Sequence, residues 1–197
     1  MRAATRRETL RGPAGGIECA VDEPSGAPRG IALIAHPHPL FGGTLDNKVV
    51  QTLARAFVEL GYATWRPNFR GVGASEGAHD EGRGEADDLA AVLAHLGADR
   101  PVLAGFSFGA AVQATLAARV AAERLVLVGV AVSRLDVPAV PPGTLVIHGE
   151  LDETVPLAAV LDWARPQELP VLVVPGADHF FHRKLAALKI AVTANWK

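Results

Sequence analysis

The sequence predicts an α/β protein: a mostly parallel sheet with helices on both faces. Three observations carry this. Short, continuous apolar runs, the mark of strands buried on both faces, recur along the chain. Between them lie segments with apolar residues at helical spacing, and that alternation implies crossover connections and parallel pairing. Finally, Gly105-Phe-Ser-Phe-Gly109 stands where an apolar run meets an alanine-rich segment, placing Ser107 on a sharp strand-to-helix turn.

Taken in order, residues 5–23 hold two short segments separated by Gly12-Pro13 and Gly15-Gly16, and read as an antiparallel hairpin at a sheet edge. After a Pro/Ser/Gly loop at 24–28, residues 29–36 form the first buried strand. Val49, Val50, Leu53, Phe57 and Leu60 then give a helix over 47–60, stopped by Gly61. Residues 62–66 are a strand, with Pro67 unable to donate to a ladder beyond it.

A glycine-rich loop follows at 68–77, then a helix carrying Leu89, Val92, Leu93 and Leu96 and ending at Gly97. The strand 101–105, the turn at Ser107, a helix to about Val120 and an apolar strand from Leu125 to Val132 come next. Residues 133–143 are a short connector to the strand 144–149. Pro156 suits the first turn of a helix reaching about Arg165, Leu169–Val174 is the last strand, and a final helix runs from about Phe180.

The 197 residues are expected to form a single domain, 1–197, large enough for a core without disulfides or metals. A net charge of −2 gives no basic footprint for nucleic acid. The lone Cys19 excludes a disulfide framework and a cysteine zinc site, and reads as a small buried apolar residue. The basic N-terminus lacks an apolar h-region and no run of 18 apolar residues occurs, so neither secretion nor membrane insertion is expected; the expected location is cytoplasmic.

The glycines around Ser107 have a steric logic, because a Cβ at Gly105 or Gly109 would meet the adjoining strand or helix. Composition alone, 20 Gly and four Ser in 197 residues, gives only about 0.04 such pentapeptides by chance. A serine hydroxyl needs a base, and the base needs an orienting acid. The loops after the last two strands offer both: Glu150, Asp152 and Glu153 in one, Asp178, His179 and His182 in the other. An oxyanion site would use the N–H of Phe108, which follows the serine. A second donor would come from the loop after His36, where Pro37 and Pro39 have no N–H, leaving His38 and Leu40. The competing reading of His36 and His38 is a proline-stiffened turn whose imidazoles are satisfied locally.

Four blocks occur in order: His36-Pro-His-Pro-Leu-Phe-Gly-Gly43, Arg70-Gly-Val-Gly-Ala-Ser-Glu-Gly77, the Ser107 turn, and His148-Gly-Glu-Leu-Asp-Glu-Thr-Val-Pro156 with Gly176-Ala-Asp-His179. From about residue 20 onward the chain thereby resembles small serine hydrolases of the α/β-hydrolase superfamily, in the dienelactone-hydrolase-like esterase group with this His-Pro-His-Pro loop. The resemblance implies Ser107 as nucleophile, Asp152 as acid, His179 as general base, and His38 as the second oxyanion amide. It leaves Glu150 and Glu153 as flanking residues, Asp178 as a solvated carboxylate, His182 as an exposed or capping residue early in the last helix, His95 at the surface, and His148 as structural or supporting. The 70–77 loop resembles a frequent hydrolase turn. It lacks the Lys and following Ser/Thr of a phosphate cradle.

The implied activity is hydrolysis of small carboxylic esters through an acyl-serine, with no cofactor or metal. Thioesters or peptide-type acyl groups are the rival substrates, and a ligand-binding protein on the same fold is the non-enzymatic rival. Residues 133–143 are too short for a helical cap, since one helix takes about 11 residues. The site is therefore expected to be open and to favour short acyl groups, unless the 70–82 loop closes as a flap.

Overall fold

The computed structural model describes residues 5–196. Met1–Ala4, the start of the basic N-terminal segment, and Lys197 lie outside the described residues. Eight strands form one sheet. In chain order they are β1 (Arg6–Gly12), β2 (Gly15–Asp22), β3 (Ile31–Ala35), β4 (Ala63–Pro67), β5 (Val102–Phe106), β6 (Arg124–Val128), β7 (Leu145–Gly149) and β8 (Val171–Val174). Across the sheet the order is β1-β2-β4-β3-β5-β6-β7-β8. β1 and β2 form the expected antiparallel hairpin, and β2 meets β4 antiparallel with Cys19 opposite Pro67. Every other pairing is parallel.

The α-helices among the described residues are α1 (Lys48–Glu59), α2 (Arg83–Leu96), α3 (Phe108–Ala117), α4 (Leu157–Ala164) and α5 (Leu185–Ala194). Side chains alternate along each strand and so build two cores. On one face Leu33, Leu103, Leu125, Leu127 and Val146 pack with Leu89 and Val92 of α2, with α3, and with Val160 of α4. On the other, Ile34, Val102, Phe106, Val126 and Ile147 pack with Leu53 and Phe57 of α1 and Leu188 and Val192 of α5. Asn47 starts α1 by accepting the Val49 N–H at 2.9 Å, and the left-handed Gly97 (φ 59°) closes α2.

Two predicted boundaries are wrong for the same reason. The last helix begins at Leu185, five residues later than Phe180, because Phe181 (φ 54°) and Arg183 (φ 59°) are left-handed and Phe181 is buried as an anchor. His182 therefore lies in the loop before the helix. β6 stops at Val128, short of Val132, because Gly129 turns the chain at φ 54°.

The connector beyond contains turns but no helix. It is pinned to α4 and the turn that follows it, with Trp163 Nε1 donating to the Val137 carbonyl at 3.1 Å and the Val140 N–H donating to Gln167 Oε1 at 2.9 Å. The 68–82 loop is also fastened. Arg70 makes a fork on Asp88 (2.8 and 2.9 Å), and the Glu76 N–H donates to the Gly16 carbonyl at 2.8 Å. Ser75 Oγ accepts the Glu18 N–H at 2.9 Å. Closure of this loop as a flap would break these bonds. No helix among the described residues is long and apolar enough to cross a membrane.

Candidate active site

The site forms at the carboxyl edge of the sheet, where β5 gives way to α3. Ser107 takes φ 55° and ψ −115°, a strained conformation for a residue with a Cβ, and is held there by its N–H on the Val128 carbonyl at 2.9 Å. The flanking glycines make the turn possible. A Cβ at Gly105 would run into the Gly109 carbonyl, and one at Gly109 into the carbonyls of Ala35 and His36. The expected collision with strand and helix is thus borne out on both sides.

The structure brings Ser107, His179 and Asp152 together in line. His179 Nε2 lies 3.1 Å from Ser107 Oγ, and His179 Nδ1 lies 2.6 Å from Asp152 Oδ2. A carboxylate facing Nδ1 places the ring proton there and leaves Nε2 as acceptor for the hydroxyl. Asp152 is fixed in turn, its Oδ1 accepting the N–H groups of Thr154 (2.9 Å) and Val155 (2.8 Å). All three residues are buried. The His179 ring packs on Phe106 at 4.9 Å between centroids and on Phe180 at 5.1 Å, and those two rings also touch each other at 5.9 Å.

The competitors fall elsewhere. Glu150 is exposed and accepts the Gly176 N–H at 2.7 Å, and Glu153 is exposed. His182 pairs with Asp178 at 2.6 Å, an exposed couple set apart from Ser107, so Asp178 is engaged with a partner. His95 is exposed. His148 is fully buried, and its Nε2 donates to the Val155 carbonyl at 2.8 Å while facing Asp152 Oδ2 at 3.5 Å. Its Nδ1 has no hydrogen-bond partner among the described residues, and burial pushes its pKa down. Cys19 is buried, and burial first, then Glu8 and Glu18, push its thiol up to about 12.

The loop after β3 divides its two imidazoles between tasks. His36 Nδ1 donates to the Pro37 carbonyl at 2.7 Å and Nε2 accepts the Phe69 N–H at 2.9 Å, which ties this loop to the glycine-rich one. His38 Nδ1 accepts the Leu40 N–H at 3.2 Å. Of the two amides left open by the residues, Leu40 is therefore already engaged, whereas His38 N–H has no acceptor among the described residues. The Phe108 N–H, first in α3, has no intrahelical acceptor either.

Two features here escaped the sequence reading. Gly129 sits under the His179 ring, where a Cβ would come within 3.3 Å of His179 Cε1 and of Phe106. Its only signal was a glycine interrupting an apolar run. His79 pairs with the buried Glu85 at 2.8 Å beside His38, and its position in a polar loop gave no signal. No group of three or more metal-ligating side chains is assembled among the described residues. A groove of about 800 Å³ between α1 and the hairpin, lined partly by Arg7, Asp22, Asp46 and Arg66, shares no residue with this site.

Fold and site together define an α/β protein with a buried Ser–His–Asp line at the carboxyl edge of its sheet, over which no helical lid is inserted. The model of the α/β-hydrolase fold family matches residues 38–142. Similar solved structures include an α/β serine hydrolase homologue from Coxiella burnetii, 39% identical with a TM-score of 0.89 over 98% of this chain and 97% of that one. Another is a serine hydrolase without lid from Xanthomonas campestris, 39% identical with a TM-score of 0.90 over 99% and 94%. An uncharacterised protein of Rickettsia prowazekii is 32% identical over 203 residues, covering 93% of this chain and 85% of its own. The chain belongs to the α/β-hydrolase family, as a small lidless member, and its similarity to serine hydrolases supports a hydrolase.

Proposed function

We propose that the protein is a cytoplasmic serine hydrolase that cleaves carboxylic esters of small soluble substrates through an acyl-serine intermediate. The single observation that carries this is the unbroken line from Ser107 Oγ through His179 to Asp152, with links of 3.1 and 2.6 Å. His179 Nε2 takes the Ser107 proton as Oγ attacks the ester carbonyl, and returns it to the departing alcohol as the tetrahedral intermediate collapses. Water then attacks the acyl-serine, giving its proton to His179, and the acid leaves as Oγ recovers a proton. Asp152 holds the productive tautomer and stabilises the imidazolium. The N–H groups of Phe108 and His38 receive the oxyanion, since neither is otherwise engaged.

A fluorophosphonate probe combined with hydrolysis of p-nitrophenyl butyrate tests the assignment. Wild-type protein should label and turn over, and Ser107→Ala should do neither while remaining folded by circular dichroism. His179→Ala should lose turnover about a thousandfold or more, because members of such a line act as a unit, whereas His182→Ala should stay within about threefold. Labelling of folded Ser107→Ala at the wild-type rate, or the opposite ranking of the two histidines, would sink the reading. A folded protein that binds esters without labelling would instead be a binding protein on this fold.

A further inference from the structure

The two amides assigned to the oxyanion belong to residues far apart in sequence, one on the loop after β3 and one at the start of α3. Their own side chains link them, the His38 and Phe108 rings packing at 4.8 Å between centroids. A third ring joins both. His79 lies 4.9 Å from His38 and 5.4 Å from Phe108, and its side chain is 15% exposed. It comes from the glycine-rich loop ahead of α2 and takes no part in the reaction above.

Glu85 holds His79 in this position. It is fully buried in the first turn of α2, where its Oε2 accepts the Gly82 N–H at 2.8 Å, the bond a helix cap requires. Its Oε1 reaches further back along the chain and accepts the Asp80 N–H at 3.0 Å and His79 Nδ1–H at 2.8 Å. A carboxylate so deeply buried is tolerated only with donors of this kind, and here every one of them fastens the segment 79–82. Both ends of that segment touch the Phe108 side chain. His79 does so through its ring, and Gly82 through its backbone, where a Cβ would lie 3.9 Å from Phe108 Cε2. Phe69 adds an edge-on contact to the same ring at 5.5 Å.

We propose that His79 is a positioning residue of the oxyanion site: held by Glu85, its ring packs against His38 and Phe108 and keeps their two N–H groups in register. The inference rests on the serine-hydrolase reading and adds to it a residue that touches no substrate. Donors aimed at a developing oxyanion must stay within about half an ångström of their place. A loosened support therefore costs rate and leaves ground-state binding alone.

The test uses p-nitrophenyl butyrate and its thiono analogue, in which sulfur replaces the carbonyl oxygen, with wild type, His79→Gln and His79→Phe. Sulfur accepts hydrogen bonds weakly, so an oxyanion defect slows the oxygen ester far more than the thiono ester, whereas displacement of Ser107 or His179 slows both. His79→Gln keeps a donor for Glu85 and loses the ring. It should lower kcat on the oxygen ester about tenfold with KM within about twofold, a smaller loss than the roughly hundredfold or more of a missing donor. The ratio of oxygen-ester to thiono-ester turnover should fall by a similar factor. His79→Phe keeps the ring and should stay within about threefold of wild type on both counts. An unchanged ratio in folded His79→Gln, or no recovery in folded His79→Phe, overturns the positioning role and, with Ser107 labelling intact, leaves the serine-hydrolase reading standing. If His79→Gln does not fold, His79→Leu takes its place under the same criteria. If wild type turns over neither ester, the fluorophosphonate decides, because its P=O oxygen calls on the same donors: His79→Gln should label about tenfold more slowly than wild type, and equal rates overturn the role. Wild type that does not label refutes the underlying reading and this inference with it.

Discussion

His36 can accept the Phe69 amide only while its ring is neutral, and this makes the fold itself sensitive to acid. Burial, against the favourable Pro37 carbonyl and the charge of Glu85, pushes its pKa from 6.5 to about 4. The unfolded chain therefore binds more protons than the folded one between these values. The stabilisation is complete above about pH 6.5 and is lost as pH falls towards 4. Urea unfolding at pH 7 and pH 4.5 should show a loss on the order of 2–3 kcal/mol that His36→Asn does not share; equal losses in the two proteins would refute the assignment. The members of the Ser107–His179–Asp152 line were legible as residues, because the glycine-flanked turn and the two loops after late strands confine the choice to a few side chains. For the second candidate oxyanion amide the residues alone left His38 and Leu40, and the family resemblance implied His38. Only the hydrogen bond from Leu40 to the His38 ring, a matter of rotamer, shows which one is engaged. Gly129 was hidden because its neighbour, the His179 ring, arrives from 50 residues downstream.

Elements were legible where burial and periodicity agree, as in α1 and the hairpin. They were misjudged where a left-handed residue interrupts an otherwise suitable pattern. The segment 180–184 has the apolar spacing of a helix, yet Phe181 and Arg183 take positive φ, and no side-chain pattern announces that. Such conformations are set by tertiary anchoring, here the burial of Phe181 in the core. The junction of β5 and α3 is the opposite case, an element boundary dictated by sterics that the sequence displays openly. Gly109→Ala should cost roughly 2 kcal/mol or more, since the new Cβ meets the backbone carbonyls of Ala35 and His36 rather than a yielding side chain. It should also reduce turnover by displacing β3 and the His38 loop that continues from it. A change in the unfolding free energy of less than about a few tenths of a kcal/mol would contradict this.

At the scale of the whole molecule, the absent lid governs which substrates can be handled. The connector after β6 is bound down on α4, and the glycine-rich loop is bolted to β2 and α2, so neither element is free to cover Ser107. Leu40, Phe41, Leu151 and Phe180 stand exposed on the loops that carry the site residues. Turnover of a long-chain ester should therefore pass smoothly through its micelle threshold. A sharp rise on crossing it would show an opening transition that this architecture does not provide. The same openness bears on the fate of the acyl group. On the proposed mechanism, an acyl chain on Ser107 is as reachable for methanol or hydroxylamine as for water. Its products then divide according to the abundance and reactivity of whatever nucleophile the solvent holds, and the protein has no gate with which to reserve that group for a chosen acceptor.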